Sequence, residues 1–195
     1  GDGTNQQRTS PVAVPSLTSG VKALALGAGH SCALTSGGAA RCWGQNSTGQ
    51  LGNGSTTDST APVDVTGMSS EVIAIAAGEV HTCALTTAGG VSCWGANANG
   101  QLGNGNNTNQ TSPVAVSGLG SGVVAISAGD FFSCALLGTG AVKCWGSNIY
   151  GQLGNGQGGD TNQPVAVSGL SGATQLNAVA AVPEGLTAIN TIILS

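Results

Sequence analysis

The residues best suited to chemistry in this chain are its six cysteines, which come as three identical pairs: Cys32 with Cys42, Cys83 with Cys93 and Cys134 with Cys144. Each pair is symmetrical about a turn centred on Gly37, Ala88 or Thr139. Cysteines so placed on a hairpin face one another, and facing residues of a non-hydrogen-bonded antiparallel pair have Cα atoms about 4.5 Å apart, within disulfide reach. The spacing therefore predicts three hairpin staples, each worth roughly 2 to 3 kcal/mol in the chain-entropy account. Such staples belong to an oxidising compartment and point to an extracellular or cell-surface protein. Free buried thiols acting as small hydrophobes are the alternative. Zinc fits poorly, because there is no Cys-x-x-Cys and the pairs fall in separate units.

The remaining reactive residue types are less telling. His30 and His81 hold equivalent positions, but the third equivalent is Phe132, and a position that accepts Phe is not a general base. Ser31, Thr82 and Ser133 follow them without any arrangement of nucleophile, base and orienting acid, so no enzyme is expected. The sequence GQLGNG at 49–54, 100–105 and 151–156 lacks the GK[ST] of a phosphate loop and a following helix. Its glycines read instead as turn residues with positive φ. Asp2, Asp58 and Asp160 each bring one carboxylate to a loop, fewer oxygens than calcium wants. Neither cofactor nor metal is expected. Asn46, Asn53, Asn106 and Asn109 each open an Asn-x-Ser/Thr sequon, an acceptor for N-glycosylation where the source has the machinery.

These residues are positioned by a repeat. CWGQNSTGQLGNG (42–54), CWGANANGQLGNG (93–105) and CWGSNIYGQLGNG (144–156) are one motif at a spacing of 51 residues, and Pro11, Pro62, Pro113 and Pro164 keep the same period. One unit reads as an apolar run Val123 to Ser127, a stretch Phe132 to Leu137, a short run Ala141 to Trp145, a Gly/Asn loop and a last run Pro164 to Val167. Their length and Gly-bounded ends favour strands over helices. Pro at the head of the last run denies a ladder donor and places that strand at an edge. The fold class is thus all-β, with propeller-type blades of four antiparallel strands. Trp43, Trp94 and Trp145 follow the second cysteine of each pair, so strand alternation turns them away from the sulfur, where they are expected to pack between blades.

Composition agrees. With 34 Gly, 40% hydrophobic and 6% charged residues, the chain is neither a solvated disordered polymer nor a helical bundle. A formal charge of −4 offers too few cations to neutralise nucleic acid or an anionic bilayer, and no run is long enough to insert in a membrane as a helix. The chain lacks an initiator Met and opens in mid-repeat, which reads as removal of an upstream segment.

The stretch AGEVHTCALTTAGGVSCWGANANGQLGNG (77–105) resembles the repeat of the regulator of chromosome condensation family, in the branch also called alpha-tubulin suppressor-like. The resemblance covers about residues 1 to 170. It implies one blade per repeat, with the Ala74–Gly78 run innermost and the Pro62–Val65 run outermost. It also implies a normal complement of seven blades, whereas three full repeats are present here: 21–67, 68–118 and 119–169. Residues 1–20 align with the loop and outer strand of a further blade, and 170–195 read as a divergent partial blade with inner strands at 177–182 and 186–194.

Two functions are therefore expected. In the first, a non-enzymatic extracellular scaffold assembles head to tail with copies of itself, pairing Pro11, Val12, Ala13 and Val14 of one chain with the strand holding Ile189, Ile192, Ile193 and Leu194 of the next, in a ring or filament. In the second, the chain is part of a seven-bladed propeller that binds a protein partner through blade loops, as family members acting as exchange factors or enzyme inhibitors do.

Overall fold

Short apolar runs bounded by glycine become strands, and in the computed structural model, which describes residues 1–177, twelve of them form three four-stranded antiparallel sheets. The first sheet holds β1 (Val21–Leu26), β2 (His30–Thr35), β3 (Ala40–Gly44) and β4 (Ser59–Asp64). β5 (Val72–Ala77), β6 (His81–Thr86), β7 (Val91–Gly95) and β8 (Gln110–Ala115) form the second. The third comprises β9 (Val123–Ala128), β10 (Phe132–Leu137), β11 (Val142–Gly146) and β12 (Thr161–Ala166). Strands lie in chain order within every sheet, so each repeat is one closed meander. The first strands β1, β5 and β9 pack on one another near the axis, and the proline-bearing strands are the outer edges.

The outer strands start three residues earlier than the prolines suggest. Ser59, Gln110 and Thr161 already pair with Gly44, Gly95 and Gly146, beyond a register shift whose extra residues belong to the outer strand. The residues ahead of each proline are mostly polar, so no apolar alternation advertises them.

Between the sheets lies the core, and each layer is finished by the following repeat. Cys32, Leu34, Cys42 and Leu51 of the first repeat bury against Val72, Ala84 and Trp94 of the second. Cys83, Leu85, Cys93 and Leu102 bury in the same way against Val123, Ala135 and Trp145. Neither sheet closes a core alone, which is the defining economy of a repeat array.

Both flanks carry a docked piece of a further blade. At the start, Gly3 N donates to Thr60 O at 3.0 Å, repeating the bonds from Gly54 N to Thr111 O and Gly105 N to Asn162 O, both 2.9 Å. Past the third repeat, Ala173 N donates to Gly140 O at 3.1 Å, as Val123 N does to Gly89 O and Val72 N to Gly38 O. Ala173 and Leu176 join the core beneath that repeat. The outer strand expected at Pro11, Val12, Ala13 and Val14 is not formed: Pro11, Val12 and Ala13 are exposed and the segment joins no ladder among the described residues. A fourth strand needs a third to pair with, and among the described residues no counterpart of β3 stands beside it. Its expected mates Ile189, Ile192, Ile193 and Leu194, and nearly all of 177–182, lie outside the described residues.

Candidate protein-docking face

Each blade has two ends. One bears the tight β2–β3 hairpins with the loops that lead to the next blade. The other bears the inner β1–β2 turns and the long β3–β4 loops, tied together by bonds from Gln45 N to Gly29 O, Ala96 N to Val80 O and Ser147 N to Phe131 O, at 2.8 to 2.9 Å. On this loop face the inner turns climb round the axis through backbone bonds, Ala28 N to Glu79 O at 3.2 Å and Glu79 N to Asp130 O at 3.0 Å. Gly27, Gly78, Glu79, Gly129 and Asp130 line a concave mouth there.

The cysteines sit where the spacing puts them. Cys32 pairs with Cys42, Cys83 with Cys93 and Cys134 with Cys144 in the ladders, with Cα separations of 4.0, 4.1 and 4.1 Å, and each pair is bonded as a disulfide. The separations are shorter than the roughly 4.5 Å of an ordinary narrow pair. All six sulfurs lie on the face of their sheet that meets the following repeat, and the tryptophans lie on the other.

The tryptophans are gripped as well as buried. Trp94 Nε1 donates to Gln50 O, and Trp145 Nε1 to Gln101 O, each at 2.9 Å and each across a blade boundary. Gly52 and Gly103 lie flat on these rings with φ of +70° and +65°, and a Cβ on either would come within 2.7 Å of the indole. Gly1 is placed on Trp43 in the same manner, yet Trp43 is only half-buried.

His30 and His81, dismissed above as general bases, bridge blades. Thr82 Oγ1 donates to Gln50 O at 3.0 Å, so its single proton is used and His30 Nε2, 2.9 Å away, must be the donor to it. His81 repeats this with Ser133, whose hydroxyl donates to Gln101 O. In both rings Nδ1 is then the bare nitrogen, buried without a partner. Burial pushes the His30 pKa down to about 4. It pushes His81 down to about 3, aided by repulsion from His30 and opposed weakly by the Asp130 backbone. Both are neutral structural groups at physiological pH. Phe132 takes the third position because the site wants a ring lying against glycine, here Gly129, as Gly27 and Gly78 lie against the histidines. The legible signal was the 51-residue recurrence of Gln50 with Gln101 and of Thr82 with Ser133.

The β3–β4 loops are organised by asparagine. Asn46 is buried; its Nδ2 donates to Asn53 Oδ1, Ser55 O and Thr57 O, its Oδ1 accepts from Leu51 N, and its own N donates to Asp58. Asn97 and Asn148 are the same hub in the next repeats. This corrects the glycosylation reading at Asn46, whose committed, inaccessible amide cannot carry a glycan in the folded chain. Asn53 is half-buried, whereas Asn106 and Asn109 are exposed. Asp58 and Asp160 serve the loops as hydrogen-bond acceptors. Asp2 does the same for Thr4 and pairs with Arg8, which together hold its carboxyl down near 2. Among the described residues no cluster of three or more His, Cys, Asp or Glu is gathered as a metal would require, and no helix is long and apolar enough to cross a membrane.

Among the described residues the arrangement is one of packed walls and hydrogen-bonded loops. Sequence comparison agrees with the architecture: the family model for the regulator of chromosome condensation (RCC1) repeat matches residues 38–85, 88–136 and 139–182, and a second model of the same repeat matches 21–50, 72–101 and 123–152. The first set begins in the β2–β3 hairpins, so its first two matched units join the outer strands of one blade to the inner strands of the next. The human E3 ubiquitin-protein ligase HERC2 is 37% identical over 159 residues, 80% of this chain and 3% of that protein. The RCC2 homolog of Danio rerio is 40% identical over 134 residues, 68% of this chain and 27% of its own length. The chain thus spans only a small part of these relatives. Among solved structures, human WBSCR16 superimposes with a TM-score of 0.68 at 28% identity, covering 76% of this chain and 40% of that one. Prp20p of Saccharomyces cerevisiae, described for its binding to Gsp1p and histones, gives 0.68 at 24%, covering 76% and 38%. These three repeats are propeller blades, and the chain belongs to the regulator of chromosome condensation repeat family.

Proposed function

We propose that the chain is a non-catalytic protein-binding scaffold, an arc of a β-propeller whose loop face docks a protein partner. The observation that carries this reading is the division of labour between the two sheet faces and the loops. Buried residues are spent on holding blades together, and side-chain variety is concentrated on loops whose backbones are fixed by the asparagine hubs. A rigid frame that presents variable loops is the usual basis for recognition. Members of this family described for protein binding support the same reading, as do relatives in which these repeats form a small part of a larger protein. The three disulfides support placing the scaffold outside the cell or on its surface.

Photo-crosslinking tests it. A benzophenone side chain at Ala98, on the loop face, captures a second polypeptide in the producing cells, and one at Thr87, on the hairpin face, does not. Equal capture at both positions, or none, contradicts the proposal.

A second reading, end-to-end association of copies, is favoured by one specific observation. The face of the first repeat that would meet a preceding blade leaves Val21, Leu24 and Leu26 in solvent. A face of that composition matches the opposite flank of a neighbouring blade, and head-to-tail contacts of this kind close as rings or run on as filaments. Light scattering on the purified chain across a concentration series separates the two readings, since mass rising with concentration is expected only for association.

A further inference from the structure

Six aromatic residues are unevenly spent in this chain. Trp94, Trp145 and Phe132 are buried and Trp43 is half-buried, but Phe131 and Tyr150 are exposed. Both exposed rings stand on the loop face of the third repeat. Ser147 N donates to Phe131 O at 2.8 Å, which brings the inner turn against the start of the loop that carries Ile149 and Tyr150. Those two side chains are 68% and 71% exposed.

The blade does not require them. The same turn is built in all three repeats on one hydrogen bond, from Thr48, Asn99 or Tyr150 N to the side-chain oxygen of Gln50, Gln101 or Gln152, at 2.9 to 3.0 Å. Repeats 1 and 2 carry Ser47–Thr48 and Ala98–Asn99 there, and Gly29 and Val80 in place of Phe131. Large apolar groups held in water by a backbone that accepts Ser, Ala or Asn cost solubility and give the fold nothing. Tyr and other rings in such clusters are what protein-binding hot spots are made of.

The surroundings are acidic. Asp130 precedes Phe131, Glu79 occupies the neighbouring inner turn, and Asp160 accepts from Asn148 N and Asn99 Nδ2, both at 2.8 Å. The segments that build this face in repeats 2 and 3, residues 78–80, 96–109, 129–131 and 147–160, contain no Lys or Arg.

We propose that Phe131, Ile149 and Tyr150 form the anchor of a docking site for a protein segment in which a large apolar residue stands beside arginine or lysine. The apolar side chain covers the exposed rings while the cation answers Asp130 and Asp160, and an arginine gains further by stacking on Tyr150. This deepens the protein-binding reading and rests on it.

The probe is a phage-displayed library of random dodecapeptides panned on the disulfide-intact chain. Peptides that place Arg or Lys next to a large apolar residue are expected to be enriched and to bind less well as salt is raised. Binding is expected to fall about tenfold or more on the variant Phe131→Val, Ile149→Ala, Tyr150→Asn, whose residues are those of repeat 2, with an unchanged melting curve. The single change Tyr150→Asn gives a smaller loss in the same direction. Enrichment of peptides without basic residues, or of none, overturns the inference. Equal binding to the variant also overturns it, and then the broader reading survives with its site elsewhere on the loop face.

Discussion

Val21 and Val72 are the same residue in consecutive repeats, on strands of the same length with the same partners, yet Val72 is 3% exposed and Val21 39%. The difference extends to Leu24 and Leu26, which stand in solvent where Ile75 and Ala77 are partly buried against the core, and to Trp43 against Trp94. The opposite flank behaves otherwise, because Ala173 and Leu176 cover the third repeat. In a blade array a residue's burial is thus a property of the pair of repeats, and identical sequence acquires its energy from the neighbour.

Tryptophan truncation breaks this comparison most forcefully. Trp94→Ala removes a fully buried ring and its bond to Gln50 O, and is expected to cost about 3 to 5 kcal/mol, whereas Trp43→Ala costs about 1 to 2 kcal/mol. Urea denaturation monitored by circular dichroism measures both. Equal losses would mean that the first repeat is as well covered as the second.

The disulfides sharpen it from the other side. Each staple lies within a single sheet, so opening one is expected to cost about 2 to 3 kcal/mol whichever repeat is chosen. Paired substitutions to serine, one staple at a time, with the midpoints of the three variants compared, check this. A cost graded from the first repeat to the third would show that the staples report on neighbours after all.

The smallest effect at neutral pH belongs to the histidines. Both are depressed in the folded chain, to about 4 and about 3, against about 6.5 unfolded, so the unfolded state binds more protons in that interval. Stability is complete above about pH 6.5 and is lost as pH falls toward 4 and 3. His81→Phe, the residue of repeat 3, is expected to flatten that loss relative to the parent chain in melts between pH 3 and 7. An unchanged slope would mean that His81 is not held neutral at the blade boundary.

Much of this was legible in the sequence because the repeat samples each position three times. The 51-residue period gave the blades, the symmetric cysteines gave the register of β2 on β3, and alternation set the tryptophans against the sulfurs. What the single chain hid depends on non-local contact. Pro11 to Val14 share the sequence of an outer strand but find no third strand among the described residues, and the pairing expected for them is with another copy, which a single chain does not display. Asn46 reads as a sequon because its neighbours are Ser and Thr, while its burial comes from carbonyls up to eleven residues away. Phe131, Ile149 and Tyr150 were visible as departures from the repeat, but their exposure could be read only once the loops had a backbone.

Amide hydrogen exchange resolved to single strands tests the dependence on neighbours most directly. β1 is expected to exchange far faster than β5 and β9, although all three are first strands paired to second strands in the same register. Equal protection of β1, β5 and β9 would contradict that dependence, since each sheet would then be stable by itself.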